Sequence, residues 1–281
     1  MEAVILDRLT VLGHPGRMAV FRLLMRRLPD DVPAGEIGRA LGVKPSTLSV
    51  YLSALAQAGL VGQRRQGTSL LYRAEVSAVG DIMEFLLEDC CRGRPGLCPP
   101  LPSPSVTGRR AVPDRKYNVL FICSGNSARS IFAESILRDM AGDRFEAHSA
   151  GTRPYSELNP FAVKVLEDKG HDVSLLRAKN VSEFQRPDAP EMDFVFTVCD
   201  QAANEECPPW PGQPISAHWG MPDPVKVEGT EAEKALAFQQ AYGALRNRLL
   251  AFTALPIDQL DRISLQKAVD DLARSDAGEP A

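Results

Sequence analysis

The chain has 281 residues, 44% hydrophobic and 24% charged, with a formal net charge of −4. That length exceeds one ordinary core and predicts two domains. No apolar run approaches the roughly 18 residues of a membrane span, and no basic-then-apolar leader follows Met1, so the expectation is a cytoplasmic protein with no membrane partner.

Residues 1–110 hold 14 Lys plus Arg against 10 Asp plus Glu, net +4, while the remainder holds 18 against 26, net −8. Only the first part has the sign of a polyanion binder. The six cysteines form two triplets, Cys90, Cys91 and Cys98, then Cys123, Cys199 and Cys207. Without an export signal, such thiols read as reactive or metal-binding rather than as structural disulfides.

In chain order, apolar residues recur at helical spacing in Met18 to Leu28, Ile37 to Leu41, Leu48 to Leu55 and Ile82 to Leu87. Between the last two, LVGQRRQGTSLLYR (60–73) predicts a β-hairpin turning at Gly67. Helix, helix, helix, hairpin, helix is the order of a mainly-α winged helix-turn-helix domain, expected over 1–91. In EIGRALGVKPSTLSVYLSALAQAGLV, Gly42 and Pro45 end one helix and Ser46 is expected to cap the next. An inward face of Leu48, Leu52 and Leu55 turns Thr47, Ser49, Val50 and Tyr51 outward near the end where base edges are read, and Arg64 and Arg65 on the hairpin are set to touch phosphate. A small helical bundle shares the helix pattern but not the hairpin. With LGHPGRMAVFRLL before it, the stretch 5–90 resembles the arsenic- and metal-responsive repressor family. The resemblance implies a homodimer, formed through this domain, on palindromic operator DNA. Tyr51 stands where many relatives carry His.

Cys90 and Cys91 fall at the end of the last helix, and GRPG lets the chain turn back to Cys98. Three sulfurs without a fourth ligand suit a pyramidal soft ion, arsenite or antimonite, better than tetrahedral zinc. His14, His148, His171 and His218 all lie elsewhere. DCCRGRPGLC resembles the carboxy-terminal arsenite site of one branch of the same family. That implies Cys90, Cys91 and Cys98 as the inducer's ligands and release of DNA on binding. The Pro-, Gly- and Ser-dense residues 92–114 predict a linker.

Beyond it, NVLFI (118–122), FEAHSAG (145–151) and DFVFTV (193–198) alternate with helical stretches, predicting an α/β three-layer domain with a parallel sheet over 115–258. In VLFICSGNSARS (119–130) a strand delivers Cys123 and a helix opens at Arg129 and Ser130. Backbone N–H groups of Ser124, Gly125, Asn126, Ser127, Ala128 and Arg129 are positioned to ring an anion, and the Arg129 fork suits two of its oxygens. The same field, with Ser130, is expected to hold Cys123 as a thiolate at neutral pH. This motif, SAGT (149–152), NP (159–160) and the Asp-Pro of WGMPDP resemble the low-molecular-weight tyrosine phosphatase fold over about 117–256. Asp223 is the natural proton donor of that arrangement.

TVCDQAANEECP adds Cys199 at a strand end and Cys207 beyond a short polar segment. On a continuous helix the two would stand about 12 Å apart, too far for the roughly 7 Å Cα separation of a disulfide, so 200–206 must fold back on oxidation. CDxAxxxxCP, WPGQP and AHWGMPDP resemble the thioredoxin-coupled arsenate reductases. The resemblance implies attack on arsenate by Cys123, help from Asp223, release of arsenite as Cys199 attacks the adduct, and a final Cys199 to Cys207 disulfide. Asn126 would shape the cradle. No tightly bound cofactor is implied; an external dithiol is, thioredoxin first and a glutaredoxin-type protein second. A tyrosine phosphatase joined to a regulator is the alternative, against which Ala128 and Val225 weigh. Trp210 and Trp219 read as packing residues, and 259–281 as a helical tail with a disordered end.

Overall fold

The computed structural model describes residues 2–90, 115–205 and 210–274, apart from the side chains of 88, 89 and 274. The chain divides into two compact units, Met1–Val106 and Thr107–Ala281. The expected linker, 92–114, lies outside the described residues.

In the first unit, helices α1 (Glu2–Leu12), α2 (Pro15–Arg26), α3 (Ala34–Leu41), α4 (Pro45–Gln57) and α5 (Val76–Phe85) surround a small sheet of β1 (Val32–Pro33), β2 (Val61–Gln66) and β3 (Ser69–Ala74). A π-turn, Leu86–Cys90, follows α5. The strands are antiparallel in the order β1-β3-β2, and Gln66 pairs with Ser69 across the hairpin turn. Neither α1 nor β1 is legible as a pattern. On α1, Ile5 and Val11 are buried while Val4 and Leu6 are about half exposed, so no single apolar stripe forms. β1 is two residues long, with Val32 opposite Tyr72, too short to alternate.

Gly42 ends α3 in the left-handed region at φ 63°. α4 then starts one residue earlier than expected: Lys44 is its N-cap, without a side-chain bond, and Pro45 is the first helical residue. Proline suits that position because its fixed φ is already helical and its missing N–H leaves no donor unpaired. Ser46 therefore lies inside the first turn and does not cap it, contrary to the expectation. Leu48, Leu52 and Leu55 are buried as the spacing requires.

The second unit is built on four parallel strands, β4 (Tyr117–Cys123), β5 (Phe145–Gly151), β6 (Phe194–Thr197) and β7 (Ile215–His218), in the order β5-β4-β6-β7. The chain passes from β4 to one side and then returns to the other, so the strand order reverses beside the carboxyl end of β4. In open α/β sheets that is where ligand crevices form. Helices α6 (Arg129–Ala141), α7 (Pro160–Asp168), α8 (Asp200–Asn204), α9 (Glu231–Thr253) and α10 (Arg262–Arg274) complete the unit. α9 opens on a reciprocal cap between Thr230 and Glu233, and its Phe252 meets Phe194, Phe196 and Trp219 edge-on at 5.1, 5.3 and 5.8 Å. Trp219 is fully buried and stacks on Phe196 at 4.0 Å, a packing role.

α10 lies in the stretch 259–281, where a helical tail is expected, and packs on the unit. Leu265 and Val269 are fully buried in the same core as the sheet. The Gln266 amide accepts from the Ser216 N–H at 3.4 Å and donates to the Ser216 carbonyl at 2.8 Å. One side chain thus pairs with the outer edge of β7 as a neighbouring strand would, covering an edge otherwise open to another chain. Among the described residues no helix is long and apolar enough to cross a membrane.

Candidate active site

β4 ends at Cys123, which is buried, and α6 begins at Arg129. The intervening turn is templated by the loop after β5: Thr152, Arg153, Tyr155 and Asn159 donate their N–H groups to the carbonyls of Cys123, Ser124, Gly125 and Ser127 at 3.1, 2.9, 2.9 and 3.0 Å. In a trans peptide the N–H points opposite to the C=O. With four carbonyls turned to that loop, the N–H groups of Ser124, Gly125, Asn126 and Ala128 are directed away from it. The Asn126 N–H accordingly donates to Cys123 Sγ at 3.1 Å. Gly151 permits the close approach, since a Cβ there would lie 2.7 Å from the Ser124 carbonyl oxygen.

Asn126 holds the turn in place. It is fully buried and sits at φ 45°, uncommon for a residue other than glycine. Its side-chain amide donates to Ser130 Oγ at 2.8 Å and Ser149 Oγ at 2.9 Å, and its Oδ1 accepts from the Lys179 N–H at 2.6 Å. Ser130 Oγ is 2.9 Å from Cys123 Sγ. Behind this layer, buried Glu134 accepts from the Ser149 hydroxyl, from Lys179 Nζ at 2.9 Å and from Arg138 at 2.5 Å. Ser149, Glu134 and Lys179 escaped assignment from sequence. Ser149 lies in the SAGT motif, whereas Glu134 and Lys179 meet only through the fold.

Arg129 Nη2 is 2.7 Å from Asp223 Oδ2, and its Nη1 donates to the Met221 carbonyl at 3.2 Å. Asp223 also caps the turn Pro224–Lys226 by accepting from the Val225 N–H. Arg129 and Asp223 both line a cavity of about 110 Å³, together with Cys123, Ser124, Gly125 and Tyr155, among others. Cys199 follows β6 as the N-cap of α8. Its Sγ accepts from the Ala202 N–H at 3.4 Å and lies 3.5 Å from Ser124 Oγ. Cys207 lies outside the described residues.

The Cys123 thiol, expected to be held as a thiolate, is under opposing influences. Burial pushes its thiol above the ordinary value, and the nearby Cys199 adds to the rise; the Ser130 hydroxyl bond and the Arg129 charge pull the other way without overcoming them. Burial disfavours a thiolate, whereas hydrogen bonds to sulfur and a nearby cation favour it.

In the first unit, Ser46, Thr47, Ser49 and Val50 are exposed on α4. Tyr51 is half-buried, with its ring centroid 5.1 Å from that of His14 and its edge against Gly16. Arg64 is bonded to Asp31 at 2.8 and 3.0 Å, and Arg65 donates to the Gly67 carbonyl at 3.2 Å. Cys90 is exposed, while Cys91 and Cys98 lie outside the described residues.

A parallel α/β sheet with a buried cysteine opening a short Asn- and Ser-braced turn defines the class of the second unit, an anion-cradle enzyme fold. The family model for low molecular weight phosphotyrosine protein phosphatase matches residues 118–263, and the chain belongs to that family. Proteins named arsenate reductase are similar to it. That of Bacillus licheniformis is 38% identical over 138 residues, covering 49% of this chain and 95% of the relative. That of Bacillus subtilis strain 168 is 37% identical over 134 residues, covering 48% and 93%. An ArsR-like transcriptional regulator from Rhodococcus sp. RHA1 superposes on 34% of this chain and 88% of its own, with 21% identity and a TM-score of 0.30.

Proposed function

We propose that the second unit is an arsenate reductase and the first an arsenite-responsive DNA-binding repressor, joined in one chain. The observation that carries the enzymatic half is the meeting of two thiols at one cradle: Cys123 heads it, and Cys199 lies 3.5 Å from Ser124 Oγ in the same turn and raises the Cys123 thiol. Phosphoester hydrolysis needs one such cysteine; two-electron reduction needs a second within reach. The names of the relatives supply arsenate as substrate.

In this reading the Cys123 thiolate attacks arsenic, forming an S–As bond while one oxygen, protonated by Asp223, leaves as water. Arg129 and the cradle N–H groups carry the oxyanion's charge. Cys199 then attacks Cys123 Sγ: an S–S bond forms, the S–As bond breaks, and its electron pair reduces pentavalent arsenic to arsenite. Cys207 attacks Cys199, freeing Cys123 and leaving a Cys199 to Cys207 disulfide for an external dithiol, thioredoxin or a glutaredoxin-type protein.

The regulatory half is supported by the helix and hairpin order of the first unit and by the exposed Thr47, Ser49 and Val50 on α4. Dimers of this unit bind operator DNA. Arsenite or antimonite held by Cys90, Cys91 and Cys98 releases them. Joined to the enzyme that produces arsenite, the sensor meets a locally raised inducer concentration.

The test is arsenite production with thioredoxin, thioredoxin reductase and NADPH, together with operator gel shifts under arsenite. Cys199→Ser should abolish arsenite formation and stop the reaction at the Cys123 adduct. No arsenate-dependent NADPH consumption, with hydrolysis of an aryl phosphate at rates typical of enzymes that Cys199→Ser leaves unchanged, would instead mark a phosphatase.

A further inference from the structure

Thr197 and His218 are registered neighbours on β6 and β7, so their side chains share one face of the sheet. His218 is fully buried. Its Nδ1 lies 2.8 Å from Thr197 Oγ1 and its Nε2 3.0 Å from Asp200 Oδ1. A carboxylate only accepts, so Nε2 carries a proton and donates to Asp200, while the threonine hydroxyl, able to donate or accept, serves Nδ1. Both ring nitrogens are thereby satisfied in a buried position, where an unmatched one would be costly.

The two partners bracket residues 197–200, the segment that contains Cys199. Val198 between them is pinned to β4 by its N–H bond to the Ile122 carbonyl at 2.8 Å. Asp200 opens α8, directly after the N-cap cysteine, and its side chain is 56% exposed, so packing does not explain where it points. Gly220 makes the contact possible: a Cβ there would sit 2.6 Å from His218 Nε2 and 2.8 Å from Asp200 Oδ1.

We propose that His218 is a positioning residue, clasping Asp200 so that α8 stays wound and Cys199 stays turned toward Ser124 and Cys123. The role of the clasp in turnover rests on the cysteine cascade proposed above; the clasp itself rests on the geometry alone. α8 spans only Asp200–Asn204 and Glu205 is already extended; in this reading, forming a Cys199 to Cys207 disulfide draws Cys199 out of its place as the N-cap of that helix. Asp200 must then part from His218. The clasp favours the dithiol over the disulfide, which makes the oxidised enzyme easier for an external dithiol to reduce, and it keeps the waiting Cys199 away from solvent.

Two measurements on the full chain test this. In a glutathione titration, protein disulfide plus two glutathione exchanges with protein dithiol plus one glutathione disulfide. Asp200→Ala should shift that equilibrium at least fivefold toward the protein disulfide, about 20 mV for a two-electron couple. In the reduced protein, iodoacetamide should modify Cys199, followed by peptide mass, at least fivefold faster in Asp200→Ala, with Cys123 little changed. His218→Gln should behave likewise, and the double variant should add nothing, as expected for two members of one contact. Asp200→Ala is the decisive variant because its side chain is mostly in solvent and the core does not depend on it. Cys199 alkylation within twofold of wild type, or Cys123 accelerated equally, would overturn the clasp. If the wild-type chain forms no Cys199 to Cys207 disulfide at any glutathione ratio, the cascade falls and the alkylation rates alone decide the clasp.

Discussion

The Arg129 guanidinium meets the Asp223 carboxylate at 2.7 Å, so the fork suited to an oxyanion is occupied by the residue assigned to supply the proton. Entry of the oxyanion exchanges one negative group on Arg129 for another. The displaced carboxyl group is then free to face the substrate oxygen that must leave, the place a general acid needs.

Asp223→Asn should therefore split the kinetic constants. Loss of a general acid lowers kcat by roughly 10²- to 10⁴-fold, while freeing Arg129 lowers the KM for arsenate and the inhibition constant of phosphate. Steady-state assays with phosphate as competitor measure both. A rise in either binding constant would show that Asp223 aids binding and does not compete with it.

Cys123 gives a pH prediction with a defined sign. Its thiol lies above the ordinary value because of burial first and Cys199 second. Alkylation at Cys123 requires the thiolate, so its rate falls as pH drops through this raised value, and its midpoint lies above that of a free cysteine, roughly 8.5. Removing the Ser130 bond with Ser130→Ala moves the midpoint further up, and Cys199→Ser moves it down. The folded state prefers the protonated thiol, so this group's contribution to stability is fully present below the unfolded value and is lost as pH rises through the folded one.

Chemistry confined to a short stretch was legible in sequence, and chemistry assembled across the fold was not. Cys123, Asn126, Arg129 and Ser130 share one turn, and their spacing announced a cradle. Asp223 needed a motif to distinguish it from an ordinary loop aspartate. His218, Glu134 and Lys179 carry no local signal, because His218 acquires Thr197 and Asp200 only when β7 pairs with β6, and Glu134 and Lys179 meet only when α6 and the segment after α7 are brought together. The same holds for α10. Its amphipathic pattern was visible, but the pairing of Gln266 with Ser216 that makes it part of the unit is a property of the sheet edge.

Glu134 tests the layer behind the cradle. Its carboxylate is buried and receives Lys179, Arg138 and Ser149. Glu134→Ala leaves the Lys179 ammonium buried without this partner, a change that typically costs about 3–5 kcal/mol. Urea unfolding followed by Trp210 and Trp219 fluorescence, which reports only the second unit, should show that loss. A Glu134→Gln variant should recover part of it by keeping acceptors for Ser149 and Lys179.

Truncation at residue 258, the expected end of the catalytic domain, should damage it. The cut removes Leu265 and Val269 from the core and Gln266 from the β7 edge. Burying two such aliphatic side chains contributes about 3–6 kcal/mol, and an uncovered edge strand invites pairing between copies. Light scattering on heating should reveal aggregation at lower temperature than in the full chain, with Gln266→Ala intermediate.

On the DNA side, Arg64 and Asp31 make the sharpest prediction. Both hairpin arginines were assigned to phosphate, yet Arg64 is held by Asp31 through two bonds, at 2.8 and 3.0 Å, with Arg73 a further 3.9 Å from the same carboxylate. A cation paired in this way brings less net positive charge to a phosphate than an unpaired one. Asp31→Ala should raise operator affinity at low salt and steepen the slope of log affinity against log salt by about 0.9, the value for one further neutralised phosphate on B-DNA. Arg64→Ala should then weaken binding more in the Asp31→Ala background than in the wild type. Fluorescence anisotropy with operator DNA at several salt concentrations measures all four proteins of the cycle. An unchanged slope in Asp31→Ala would mean that Arg64 keeps clear of the backbone and that the hairpin contacts DNA through Arg65 or not at all.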